Sequence, residues 1–310
     1  MNKTEKILIL RREGSLGDSI LTRDYYKSIK QHHAATQVDV FCLYTALPFL
    51  KTLKDIDNIY SIKVHKLRPH RGWLSFLFYG LFFRFKRYTY VIDDNPYEGK
   101  NWAFLLWLIG KNKVLHTGKL FPSPKERVAY FLNKIGIKLV DSTLEINNKS
   151  ADKLNAFLEK NNVRKYIVLN CFGSIKERSF SPQTFNVLIK KLRETNILYP
   201  VIFPYQPFQK ELLSAYKNVN NVFYFETSNP GDLFALIAHP NNALTITPDT
   251  SVIHITAVFH KKTVIFYQNI YGLASHNALA ATVMSTGNDV NIFDMNCFTE
   301  SLKKAEVYND

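Results

Sequence analysis

The chain has 310 residues, 46% of them hydrophobic, which is enough for two ordinary domains with separate cores. Lys and Arg total 40 against 26 Asp and Glu, a formal net charge of +14 that favours an anionic partner: nucleic acid, an acidic membrane face or a phosphorylated small molecule. The basic residues form no block of five or more, which excludes a disordered nucleic-acid tail, and Cys42, Cys171 and Cys297 form no C-x-x-C or disulfide framework, so a reducing compartment is expected.

The apolar run near the N-terminus is four residues long and ends at two arginines, too short for a signal-peptide core. The longest apolar stretches, 73–83 and 102–110, fall short of the roughly 18 residues of a membrane span. A soluble protein, at most attached to a membrane surface, is therefore expected.

In chain order, "KILIL" (6–10) reads as a strand and 17–33 as one helix. Strands follow at 37–43, 59–65 and 88–94, with a short helix from Leu47 and an aromatic helix over 73–85. "KVLHTG" (113–118) and a helix near 124–135 close the first half. The polar stretch 141–162 marks the boundary, so domains are expected at 1–145 and 146–310, with the last segment free to pack back on the first. Within it "SADKLNAFLEKNN" reads as a helix capped by Ser150.

The pattern then restarts. Strands are expected at 166–172, 199–205, 222–225, 243–247 and 262–267. Between them lie helices at 181–194, with Ser181 as cap and Pro182 in the first turn, and at 207–217, 230–239 and 250–259. Such alternation predicts an α/β protein of two Rossmann-like domains with parallel sheets facing each other across a cleft.

Three strand-end loops carry the chemistry. "RREGSLGDSILT" (11–22) leaves the first strand through two arginines, two glycines and Asp18, at the kind of junction where α/β proteins place ligands; Asp18 as a helix cap is the alternative. "LNCFGSIKERSFSP" (169–182) brings Ser174, Lys176 and Arg178 to a strand end, as a phosphate clamp or as a solvated charged loop. In "TITPDTSVIHITAVF" (245–259) Asp249, Thr250 and Ser251 open a helix whose free N–H groups suit a diphosphate, and His254 lies one turn inward. A cap followed by a half-buried histidine reads the same residues without a ligand. Pro248 is expected to stop the strand at Thr247.

These stretches together resemble family 9 glycosyltransferases, the heptosyltransferase family of lipopolysaccharide core synthesis. The R-x-x-S-L-G-D turn matches Arg12 to Asp18, "GSIKERSFSP" loosely matches the G-A-S-x-x-x-K-x-W-P loop, and "PDTSVIHITAVFHKKTVIFY" matches a D-T-G-x-x-H-x-A helix start. The likeness runs over most of residues 5–270 in order. The chain departs from the pattern at Arg178 (usually Lys), Ser251 (usually Gly), Asp24 (often Pro) and 266–269, "FYQN" for "FGPT".

The resemblance implies a GT-B architecture and an inverting, metal-independent glycosyltransferase with no cofactor beyond its nucleotide-sugar co-substrate, which is expected to be ADP-linked. Asp18 would be the general base, with Arg12, Ser15 and Gly17 on the acceptor side. Arg12 would meet acceptor phosphate or orient Asp18. Ser174, Arg178, Thr250 and Ser251 would hold the diphosphate, Asp249 would orient the donor sugar and His254 would support that site. Glu226 is a candidate ribose contact.

The acceptor would be a phosphorylated, lipid-linked oligosaccharide, and the protein cytoplasmic, peripheral at the inner face of the membrane. The basic aromatic region 68–88 suits an anionic lipid surface, or a buried aromatic helix with basic flanks. No nucleic-acid partner is expected. A different nucleotide-sugar donor, such as that of a hexosyltransferase, and a non-catalytic sugar- or polyanion-binding protein remain as alternatives.

Overall fold

The computed structural model describes residues 5–11, 15–63, 73–94, 100–110, 114–116, 121, 123–216, 219–268 and 277–305. It divides into two compact units, Met1–Thr143 and Leu144–Asp310. The first holds a five-stranded parallel sheet of β1 (Lys6–Arg11), β2 (Gln37–Leu43), β3 (Asn58–Ile62), β4 (Tyr90–Asp93) and β5 (Val114–His116), in the order β3-β2-β1-β4-β5. The second holds six parallel strands: β6 (Tyr166–Leu169), β7 (Val201–Tyr205), β8 (Val222–Glu226), β9 (Asn242–Pro248), β10 (Thr263–Tyr267) and β11 (Ala280–Met284). Their order is β11-β10-β9-β6-β7-β8. The central strands are apolar runs because helices cover both faces of a parallel sheet.

The expected helix over 17–33 is two, α1 (Leu16–Leu21) and α2 (Asp24–His32). The break is held from far along the chain. Asp24 accepts from the N–H and hydroxyl of Ser142 at 2.8 and 2.7 Å, and the Arg23 guanidinium donates to the Ser142 carbonyl. Thr22 also turns its hydroxyl back onto the Asp18 carbonyl at 2.9 Å, which loosens the helix there.

After α3 (Leu47–Leu50) come α4 (Trp73–Lys86) and α5 (Lys100–Ile109), which pack together where Gly80 meets Leu108. A β-carbon at Gly80 would stand 2.6 Å from the Leu108 side chain, so only glycine permits this approach. Helix α4 is apolar on every side. Phe76 and Phe83 enter the core, while Leu74, Phe78, Leu81 and Phe85 form an opposite stripe that is 60, 64, 41 and 79% exposed. Helix α6 (Pro124–Lys134) completes the unit.

In the second unit α7 (Asn148–Lys160) is capped by Asn147, not by Ser150. Ser150 lies inside the first turn and donates to Asp232, tying α7 to α9 (Pro230–Ala238). Helix α8 (Pro182–Glu194) has the expected Ser181 cap and Pro182. Residues 207–216 wind as a 3-10 helix rather than an α-helix, and the spacing of its buried side chains, Leu213 and Tyr216, fits three residues per turn.

Strand β9 runs through Pro248, one residue beyond the expected stop. Thr245 and Asp249 donate toward the β10 side, so the nitrogen of Pro248 faces β6, which has already ended at Leu169. Helix α10 (Ser251–Val258) follows. Strand β11 and α11 (Met295–Lys304) were not read from the sequence; Phe298 and Leu302 of α11 join the core of their own unit beside Phe266 and Val283.

A buried carboxylate fixes the amino-terminal end of the first sheet. Asp39 Oδ1 accepts from Gln37 and Asn58 at 2.9 and 2.8 Å, and its Oδ2 accepts from the Tyr88 hydroxyl at 2.6 Å and from Lys86 at 3.4 Å. Burial pushes this carboxyl up, yet the hydrogen bonds from Tyr88, Asn58 and Gln37 and the Lys86 charge outweigh it and hold the carboxyl below its ordinary value. Asp39→Ala should cost about 3 kcal/mol in urea unfolding near neutral pH. A depressed carboxylate stabilises above its unfolded value of about 3.9 and loses that effect as pH falls, so the gap between wild type and variant should narrow below about pH 4.

Candidate functional site

In each sheet the strand order reverses beside the first strand, between β1 and β4 and between β6 and β9. Loops leaving the carboxyl ends there run to opposite faces and leave a crevice, the usual ligand position in open α/β sheets.

At the first crevice Ser15 caps α1, accepting from the Asp18 N–H at 3.1 Å while its hydroxyl donates to the Asp18 carboxylate. Asp18 therefore stands in the first helical turn as the acidic partner of the cap, half-buried, with Gly17 buried beside it. Arg12 lies outside the described residues. The contact that orients this turn comes from its neighbour. Arg11 is fully buried, pairs through Nη1 with Asp94 at 2.7 Å and donates from Nη2 to the Asp18 carbonyl at 3.1 Å. Arg127 approaches the same Asp94 oxygen at 4.0 Å. Burial, and then Asp94, push the adjacent Tyr25 phenol well above its ordinary value, so it stays protonated.

Arg11, Asp94 and Arg127 were missed by sequence reasoning. The one signal was a charge at the end of each of two apolar runs, "KILILR" and "YVIDD".

The second crevice gathers most of the other candidates. Gly173 lets the loop after β6 fold onto itself: a β-carbon there would lie 2.1 Å from the Arg178 carbonyl oxygen. A 3-10 turn at Lys176–Arg178 then brings Arg178 toward Asp249, Nη1 to Oδ2 3.8 Å, with Ser174 exposed on the same loop. Thr250 caps α10, accepting from Val252 N–H at 3.3 Å, and Ser251 is the first helical residue. His254 is half-buried on that helix. Burial raises the Asp249 carboxyl above its ordinary value, and the Arg178 charge offsets this only in part.

Asn170, also missed, joins the two strand ends. Its Nδ2 lies 3.0 Å from Thr247 Oγ1, 3.2 Å from Thr250 Oγ1 and 3.4 Å from the Phe172 carbonyl. The segment 288–291, outside every sequence motif, braces the Arg178 loop from below: Val290 N–H donates to Glu177, and the Asn291 side chain bonds both Ser179 and Ser181. Glu226 stands apart at the end of the edge strand β8, accepting from Tyr205 and Ser228. Among the described residues no group of three or more His, Cys, Asp or Glu is placed to hold a metal ion.

A guanidinium, a hydroxyl and a helix start thus meet at one crevice, and donors of these kinds suit an anion. No family model and no curated protein matches the sequence. Solved structures do match. A family 9 glycosyltransferase from Veillonella parvula superposes with TM-score 0.77 at 14% identity, covering 99% of both chains. The chain has the fold of that enzyme. Escherichia coli heptosyltransferase WaaC with ADP gives 0.70 at 13% identity, covering 97% of this chain and 99% of that one. E. coli ADP-heptose LPS heptosyltransferase II gives 0.67 at 16% identity over 97% and 98%. At these identities the likeness shows a shared fold.

The buried Arg11–Asp94 pair makes a stability prediction. Asp94→Ala takes the carboxylate from two buried guanidiniums, Arg11 and Arg127, and should cost about 3 kcal/mol in urea unfolding, whereas Arg11→Met with Asp94→Leu leaves only the more distant Arg127 and should recover part of that loss.

Proposed function

We propose that the chain is a glycosyltransferase of family 9 that binds a nucleoside-diphosphate sugar at the β6/β9 crevice and an acceptor at the β1/β4 crevice. The observation that carries this reading is the meeting of Arg178, Asp249 and the α10 start at a strand-order reversal, in a fold shared with heptosyltransferases. Arg178, Ser174, Thr250 and Ser251 hold the diphosphate, and Asp249, beside Arg178, orients the sugar. His254 supports the helix start. Glu226, at the end of β8, serves as a ribose contact in this reading.

Asp18 takes the proton from an acceptor hydroxyl, whose oxygen forms a bond to the anomeric carbon. The carbon–oxygen bond to the diphosphate breaks with its electron pair on the leaving group, and the configuration inverts. Fixed dipoles and Arg178 meet the charge that develops on that leaving group. Ser15 and Arg11 matter because they hold the turn that carries Asp18, and Arg12 belongs on the acceptor side. ADP-heptose is the proposed donor and a lipopolysaccharide core saccharide the proposed acceptor, by analogy with the E. coli enzymes. Another nucleotide sugar would use the same residues.

Thermal unfolding with ADP, UDP, GDP and CDP tests the donor. A ligand at about 100 times its Kd adds roughly 2.7 kcal/mol, so ADP alone should raise the midpoint by a few degrees. Selective stabilisation by another nucleotide would replace the heptose donor, and no shift with any would remove the donor site. In a transfer assay with ADP-heptose, Asp18→Asn should lower kcat by 10² or more, of the order seen for general bases, with nucleotide binding retained. Normal turnover would remove Asp18 as the base.

The exposed stripe of α4 supports a membrane surface as the place where the acceptor is met. Among the described residues no helix is long and apolar enough to cross a membrane. Arg84 and Arg87 are exposed beside the stripe, Trp107 of α5 is 62% exposed, and the acids between 61 and 120 are Asp93, Asp94 and Glu98, the first two buried. Apolar aromatic side chains flanked by cations match an anionic lipid face, whereas a second copy would bring like charges together. The protein should float with phosphatidylglycerol-containing vesicles and not with neutral ones. Phe78→Asp with Phe85→Asp should abolish flotation, and flotation unchanged by that pair would overturn this surface.

A further inference from the structure

The guanidinium of Arg178 is held at a second point. Its Nε donates to Gln268 Oε1 at 3.1 Å, just beyond the end of β10. The orientation of that amide has one solution. Gln268 Nε2 donates to the Asn288 carbonyl at 2.6 Å, so the oxygen must face Arg178, which has only donors to offer. The backbone beside it is anchored as well, because the Ser285 N–H donates to the Tyr267 carbonyl at 2.9 Å and the Ser285 hydroxyl lies 2.8 to 3.0 Å from the carbonyls of Tyr267, Gln268 and Gly287.

A guanidinium grips an oxyanion bidentately through one of two edges, Nε with one Nη, or both Nη groups together. With Nε occupied, the Nη1–Nη2 edge is left for a ligand. In the structure that edge stands beside Asp249, at 3.8 Å from Nη1, too long for a good hydrogen bond. Asp249 is a poor competitor for the edge, since burial disfavours its charge and Arg178 is still 43% exposed. A diphosphate brings more charge and better geometry to the same donors.

We propose that Gln268 is a positioning residue of the anion site: by engaging Nε it presents the two Nη groups of Arg178 as a fork for the diphosphate of the donor. This rests on the donor-site reading above. Lysine at position 178 would have no Nε–H, so the contribution of Gln268 should exist only while arginine is present.

The test is a double-mutant cycle on the full chain, with ADP as the probe in titration calorimetry. Gln268→Met should raise the Kd for ADP about tenfold, the equivalent of roughly 1.4 kcal/mol. AMP, which lacks the second phosphate, should be affected far less. Arg178→Lys should weaken ADP at least as much, and adding Gln268→Met to it should change nothing further. Gln268→Ala serves as a second variant, and the melting midpoint of each variant checks that it folds. Wild-type ADP affinity in both Gln268 variants, or single effects that simply multiply in the double variant, would overturn the assignment. A wild-type chain that binds none of the four nucleoside diphosphates would overturn the donor-site reading and this assignment with it.

Discussion

Each unit of this protein is organised by the same constraint, a reversal of strand order beside its first strand. Loops that leave neighbouring parallel strands toward opposite faces cannot cover the gap between them, and backbone N–H groups at the strand and helix ends are left to find other partners. At β1/β4 Ser15 accepts from the Asp18 N–H, with the Arg11–Asp94 pair beside it; at β6/β9 Thr250 accepts from the Val252 N–H, and Asn170 ties Thr250 to Thr247. The strands between are apolar, so the polar chemistry concentrates where the sheet topology leaves room for it.

The two crevices handle charge differently. Arg11 and Asp94 are both almost wholly buried at 2.7 Å, where loss of either partner leaves a charge without water. That pair acts as a rivet: it locks the turn after β1 and thereby the backbone of Asp18. Arg178 and Asp249 are further apart and partly solvated, so their attraction is weak and exchangeable. One arrangement suits a group that must stay in place, the other a site that gives up its internal partner to a ligand.

Much of the architecture was legible in the chain. Buried parallel strands read as short apolar runs, and the caps at Ser181 and Thr250 announced the helices that follow them. Asp18, Ser174, Arg178, Asp249 and Thr250 were each visible as polar residues at a strand end. Three of the misreadings share a cause, since each depended on a partner remote in sequence. The helix over 17–33 breaks because Ser142 binds Asp24 and Arg23. Ser150 looked like a cap but faces Asp232. Arg11 looked like one of two equivalent arginines, until β4 supplied Asp94 as its partner.

Residue types and their local spacing thus settled most of the strands and helices and which loops carry ionisable groups, because caps and periodicity act within one or two turns of the chain. Which of those groups touch could not be read this way. Asn170 meets Thr250 across two strand ends, and Arg178 meets Gln268 across a gap of 90 residues, bringing together two positions at which the chain departs from the family pattern. Those meetings are set by strand order and register, and strand order is a property of the packed sheet that local spacing does not encode.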